Sequence, residues 1–168
     1  MKFERIGTLA LGLIAGSWVW SASAATFEDI QFWAGDGTNR AGLVVDWNDG
    51  KTPRSLMWGY RWNGTASGLD MFQAVVAADP RLFAHLGHFS FGTSTIGIGY
   101  DLNNTGGFSV NPPLVFDAAG LVMDTGSTNA LDARVATDSG DHYIEGWNSG
   151  FWAYYLKDAA RPATGTPL

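Results

Sequence analysis

The chain has 168 residues, a formal net charge of −6, 46% hydrophobic and 14% aromatic residues, and no cysteine. That length bounds it to one domain with a single core, and the acidic balance excludes nucleic-acid and anionic-membrane partners, which need a basic surface. Without cysteine the fold must be held by packing rather than by disulfides.

At the N-terminus Lys2 and Arg5 precede an apolar run from Ile6 to Trp20, and the small residues Ser21-Ala22-Ser23-Ala24 follow. This is the pattern of a secretory signal peptide, and it predicts cleavage after Ala24 and a secreted or periplasmic protein. Residues 25–158 then form a single domain, and 159–168, rich in Pro, Thr and Gly, a disordered tail. The cleaved chain keeps eight basic and fifteen acidic residues, a net charge of −7. No later stretch reaches about 18 consecutive apolar residues, so no membrane span is expected after cleavage.

Phe27 to Gly42 opens with Ile30, Phe32 and Trp33 and runs into the turn-rich Gly35–Asn39, which predicts an edge strand or irregular lead-in. Leu43 to Trp62 predicts a hairpin. Leu43, Val45 and Trp47 alternate with Val44 and Asp46, and Leu56, Trp58, Tyr60 and Trp62 alternate with Ser55, Met57, Gly59 and Arg61. Asn48-Asp49-Gly50 supplies the turn. After the breaker run Asn63–Gly68, Ser67 with Asp70 three residues on reads as a capping box. Leu69, Phe72 and Val76, with Met71, Val75 and Ala78 beside them, give the apolar stripe of a short helix that ends at Asp79-Pro80.

Arg81 to Tyr100 returns to extended character, and Ile96-Gly97-Ile98-Gly99-Tyr100 leaves one face bare, where a ring or another backbone can approach closely. Asn103–Gly107 is a turn. Phe108–Phe116, broken by Pro112-Pro113, is at most an edge strand or loop, and Ala118–Gly140 reads as a long surface loop. Tyr143 to Leu156 restores the sheet, and within it Phe151 to Leu156 is apolar on both faces, which predicts a central strand. The whole is an α+β fold, a β-grasp-like mixed sheet packed on one short helix, with a long irregular loop.

The segments VVDWNDG, LDMFQAVVAADP, IGIGYD and GWNSGFWAYYL, in that order, resemble the β-grasp domain at the C-terminal end of transcobalamin-type vitamin B12 carriers. WGYRWNG and the HYxEGWNSGFWAYYL pattern are also similar to a group of exported bacterial proteins of unsettled function. The resemblance implies the β-grasp fold and, for a ligand, a cobalamin-like molecule.

Several motifs point to chemistry. Leu121-Val122-Met123-Asp124-Thr125-Gly126-Ser127 matches the aspartic-protease loop, but that chemistry needs two carboxylates sharing a proton, and no second Asp-Thr-Gly exists. Asp46–Gly50 has the look of a calcium loop yet misses its spacing, so turn chemistry is the expected role. His85 and His88, or His142 with Asp138, Asp141 and Glu145, are metal-ligating residue types without a metal-site pattern. Neither a G-x-S-x-G elbow nor a P-loop or dinucleotide fingerprint is present.

Catalytic, metal and cofactor residues are therefore not assigned. The expected function is non-catalytic binding of a small molecule or glycan by an aromatic surface formed by Trp58, Tyr60, Trp62, Trp152 and Tyr154. The alternatives are an extracellular structural protein acting through strand-mediated protein contacts and, less favoured, a protease centred on Asp124.

Overall fold

The structure, a computed structural model, describes residues 26–155. The expected signal peptide and its cleavage point, and the expected tail from residue 159, lie outside the described residues.

The first sheet contains β1 (Trp33–Gly35), β2 (Asn39–Asp46) and β3 (Ser55–Trp62) in the order β1-β3-β2. The hairpin forms as its alternation indicates, with β2 antiparallel to β3, Leu43 opposite Trp58 and Val45 opposite Leu56. β1 joins the other side of β3 in parallel. Because successive side chains alternate between faces, Leu43, Val45 and Trp58 enter the core while Arg40 and Val44 face outward. In the connecting turn Gly50 takes φ +80°. Asp46 and Asp49 accept the backbone N–H of Asn48 and Lys51, both at 3.1 Å, which is the turn role expected of this segment.

Helix α1 (Gly68–Ala78) starts at the predicted capping box. Ser67 Oγ accepts the Asp70 N–H at 3.1 Å, and the Asp70 carboxylate accepts the Ser67 N–H at 2.7 Å. Two amides that the first turn cannot pair are satisfied this way. The helix buries Met71, Phe72, Val75 and Val76.

β4 (Leu82–Phe89) and β5 (Gly92–Tyr100) make a second hairpin. β6 (Val110–Asn111) pairs with β8 (Val135–Ala136) in a short separate ladder. β7 (Leu121–Thr125) lies parallel to β4, and β9 (His142–Glu145) antiparallel to β5, so the second sheet runs β7-β4-β5-β9. Its inner face, Leu82, Ala84, Leu86, Ile98 and Tyr100, meets α1 and the first sheet in one core. Trp47 bridges the two sheets, its indole N–H donating to the Ile98 carbonyl at 3.0 Å. Among the described residues the class is therefore α+β with one α-helix and mixed sheets, the strands dividing among three sheets.

The outer face of the second sheet shows why β5 alternates with glycine. A Cβ at Gly99 would collide with the Phe108 ring, and one at Gly97 with the Tyr143 hydroxyl. The expected close approach of rings to this face is what the structure contains, and Val110, Ala136, Phe108 and Phe116 complete a small cluster there.

Two expectations are corrected. Ala118–Gly140 is not a continuous loop, because Leu121–Thr125 pairs with β4 and Val135–Ala136 with β6. The expected central strand from Tyr143 to Leu156 is strand only over His142–Glu145, at the edge of its sheet, and Phe151 is 78% exposed. The physical cause is Asp132. Its carboxylate accepts the backbone N–H of Trp147 at 2.7 Å and those of Asn148 and Ser149 as well, so these amides pair with a side chain and the chain leaves the ladder. Leu156 lies outside the described residues.

Candidate functional site

Trp58, Tyr60 and Trp62 share one face of β3, as their spacing requires, but burial is graded along the strand. Trp58, expected on the ligand surface, is corrected to the core at 2% exposure. The C-terminal end of α1 and the inner face of the second sheet close over it. Its indole N–H donates to Asp79 Oδ2 at 2.8 Å, and its ring meets Trp47 and Tyr100 edge-on, with centroids 6.4 and 5.7 Å away.

Tyr60 and Trp62, nearer the strand end, are half-buried and stack on each other with centroids 5.3 Å apart and planes 11° from parallel. Tyr154 comes from the far end of the described chain and sets its hydroxyl over Gly68 at the start of α1. These three rings line one cleft of about 120 Å³ with Ala41, Ser67 and Met71 among its other walls. An enclosed small-molecule pocket is about 300–1,000 Å³. This cleft is therefore a shallow platform, too small to enclose a ligand of that size.

Trp152 is half-buried against the main core, and its indole N–H donates to the Ile144 carbonyl at 3.3 Å. It anchors the irregular segment that carries Tyr154. Of the five residues named from the sequence, Tyr60, Trp62 and Tyr154 converge, while Trp58 and Trp152 hold the scaffold. A second cleft, about 710 Å³, is lined by Phe32, Val44, Trp58, Arg81, Tyr100 and Asn104 among others. Arg81 lies over the Tyr100 ring at 4.7 Å. Burial is the main cause that pushes the Tyr100 phenol up to about 12.

The outer face of the second sheet carries a buried polar cluster whose histidine and carboxylates the sequence reading named only separately. His85, with no exposed surface, directs Nε2 at Asp124 Oδ2 (2.9 Å) and Nδ1 at Glu145 Oε1 (3.2 Å). Arg134 donates to the same Glu145 oxygen at 2.6 Å. Glu145 Oε2 accepts the backbone N–H of Leu131 and Asp132, and Asp124 accepts the Asn129 N–H and the Thr128 hydroxyl. The carboxylates thus tie residues 128–134 down onto the sheet.

Burial pushes the Asp124 carboxyl up, but the hydrogen bonds from Asn129 and His85 and the His85 charge outweigh it and leave it below the ordinary carboxylate range. The expected loop position of Asp124 is corrected as well, since it stands on β7. Its neighbouring carboxylate is Glu145, across an imidazole, so the geometry is not that of two acids sharing one proton.

The histidine pairings considered for metal binding do not assemble. His85 and His88 are three apart on a strand and face opposite ways, and His88 bonds the Thr93 hydroxyl at 3.0 Å. His142 and Glu145 are likewise three apart on β9, and His142 stacks on Trp47 at 4.5 Å while its Nδ1 meets Asp49 Oδ2 at 2.8 Å. Burial pushes the Asp49 carboxyl up, and hydrogen bonds from His142 and the Lys51 amide bring it below the usual range. Among the described residues no group of three His, Cys, Asp or Glu side chains is placed to hold a metal ion.

No family model, no curated protein and no solved structure matches the chain.

Proposed function

We propose that the protein is an exported, non-catalytic binding protein that holds a glycan or other flat small ligand on the Tyr60–Trp62–Tyr154 platform. The observation that carries this reading is the convergence of three partly exposed rings from two distant segments on one shallow cleft. Sugar rings present faces of C–H groups that pack on aromatic rings, and Tyr hydroxyls and Trp N–H groups supply polar contacts at the rim. Export rests on the N-terminal pattern of Lys2, Arg5, the apolar run and Ala22-Ser23-Ala24. Cobalamin enters as a ligand through the resemblance to B12 carriers, and equilibrium dialysis without retention removes it.

Titration of the purified protein with neutral oligosaccharides, followed by calorimetry, tests the platform. Trp62→Ala and Tyr154→Ala are expected to abolish binding. Absence of any glycan binding, or binding that survives both substitutions, contradicts the reading, as does turnover of any substrate in a broad hydrolase panel.

A second reading, strand-mediated assembly, is favoured by β2. It is an eight-residue edge strand, and its outer side is unpaired among the described residues. Light scattering separates the two readings, because assembly requires ligand-independent oligomers.

A further inference from the structure

The outer face of the first sheet carries an arrangement that packing of the main core does not explain. Gly42 stands opposite Gly59 across the β2–β3 ladder, and two residues along Arg40 stands opposite Arg61. The glycines act as a shelf. A Cβ at Gly59 would collide with the Trp33 indole, so only glycine lets that ring lie on the strand. Phe27 stacks on Trp33 with centroids 6.2 Å apart. The Arg61 guanidinium sits 4.5 Å from the centre of the Trp33 ring, and that of Arg40 4.6 Å from the centre of the Phe27 ring.

Like charges directly opposite on neighbouring strands oppose pairing. The other described arginines each have a carboxylate partner: Arg54 with Asp46, Arg81 with Asp79 and Arg134 with Glu145. Among the described residues Arg40 and Arg61 have none. A guanidinium laid on an aromatic ring uses its face and keeps its N–H edge free, and that edge takes a carboxylate bidentately. Beside it Phe27 is 39% exposed, and because its ring is stacked on Trp33 and covered by Arg40, what it offers is an apolar ring edge.

We propose that this face binds an acidic sugar, its carboxylate held by Arg40 and Arg61 and its ring carbons set against the exposed edge of Phe27. The chain's net negative charge opposes a polyanionic membrane or nucleic acid at long range, whereas two adjacent guanidinium groups act on a single carboxylate at contact. The same face leads to the larger cleft, since Val44 and Met57 in its lining stand opposite each other two residues beyond the glycine pair. A sugar chain of two or three units therefore has open surface ahead of it. The site is separate from the Tyr60–Trp62 platform, because Arg61 and those rings point to opposite faces of β3.

The test is calorimetric titration of the purified protein with a galacturonic acid trimer and with its neutral methyl ester. The acid is expected to bind at low salt roughly tenfold or more tightly than the ester, and Arg40→Gln or Arg61→Gln is expected to lose a similar factor. Trp62→Ala, on the other face, is expected to change nothing in this titration. Should Arg61→Gln unfold early, the exposed Arg40→Gln decides alone. Equal binding of acid and ester, full affinity in Arg40→Gln, or capture of the protein by phosphatidylserine vesicles in place of the trimer overturns the proposal.

Discussion

Replacing Trp58 by alanine tests the division between core and platform. The side chain is 2% exposed, packs edge-on against Trp47 and Tyr100, and donates its N–H to an Asp79 carboxylate that is itself 5% exposed. Truncating a buried aromatic of this size costs about 3–5 kcal/mol. Loss of the indole donor leaves Asp79 Oδ2 without its indole partner, a further penalty of about 1–3 kcal/mol, although the Arg81 N–H still reaches Oδ1. Against a total of about 5–15 kcal/mol for a domain, the variant should be barely folded at room temperature. Trp58→Phe keeps most of the packing and isolates the hydrogen-bond share, so it should fall between. Trp152→Ala, at a half-buried ring, should cost clearly less than Trp58→Ala. Urea unfolding followed by far-UV circular dichroism gives all three midpoints. A Trp58→Ala loss below about 1 kcal/mol, or one smaller than that of Trp152→Ala, would refute the placement of Trp58 in the core.

Further predictions concern pH and the glycine face. Asp124 and Asp49 both have folded-state pKa values below the ordinary range, so their contribution to stability is complete above about pH 4, the unfolded carboxylate value, and is lost as pH falls through the depressed folded values. The urea midpoint should drop between pH 5 and pH 3 in the wild type, and the drop should be smaller in Asp124→Asn; an equal drop in both would contradict the assigned role of Asp124. Gly99→Ala places a methyl group in the Phe108 ring and should cost about 1–3 kcal/mol, read as a lower melting temperature. An unchanged melt would mean that the ring does not rest on β5.

Local signals carried much of the fold. The period-two pattern from Leu43 to Trp62 set the hairpin and its faces, the Ser67–Asp70 box set the helix start, and the glycines at 97 and 99 announced a closely approached face. What was illegible depends on partners distant in sequence. The FWAYYL stretch has the apolar character of a buried strand, yet Asp132, fifteen residues before Trp147, captures the amides that would continue β9. β7 forms because β4 offers its edge in parallel, and five residues of ambiguous pattern do not reveal such a pairing. His85, Asp124 and Glu145 lie on three strands with no shared motif, so only the sheet order unites them.

The same limit applies to the site. Alternation placed Trp58, Tyr60 and Trp62 on one face correctly, but it has no information about how far α1 and the second sheet extend along that face. Burial of Trp58 and partial exposure of Tyr60 and Trp62 follow from that extent. Tyr154 reached the platform because Trp152, two residues earlier, is pinned to the Ile144 carbonyl. The sequence suggested both residues as surface, and only the fold separates the anchor from the contact.

The central claim, that ligand is held on the Tyr60–Trp62–Tyr154 platform, is tested most directly by the indole N–H resonances of the uniformly nitrogen-15-labelled protein during glycan titration. Trp62 should shift progressively with ligand, while Trp47 and Trp58, whose indoles are buried and bonded to Ile98 and Asp79, stay in place. A titration that moves Trp47 or Trp58 and leaves Trp62 unmoved would contradict it.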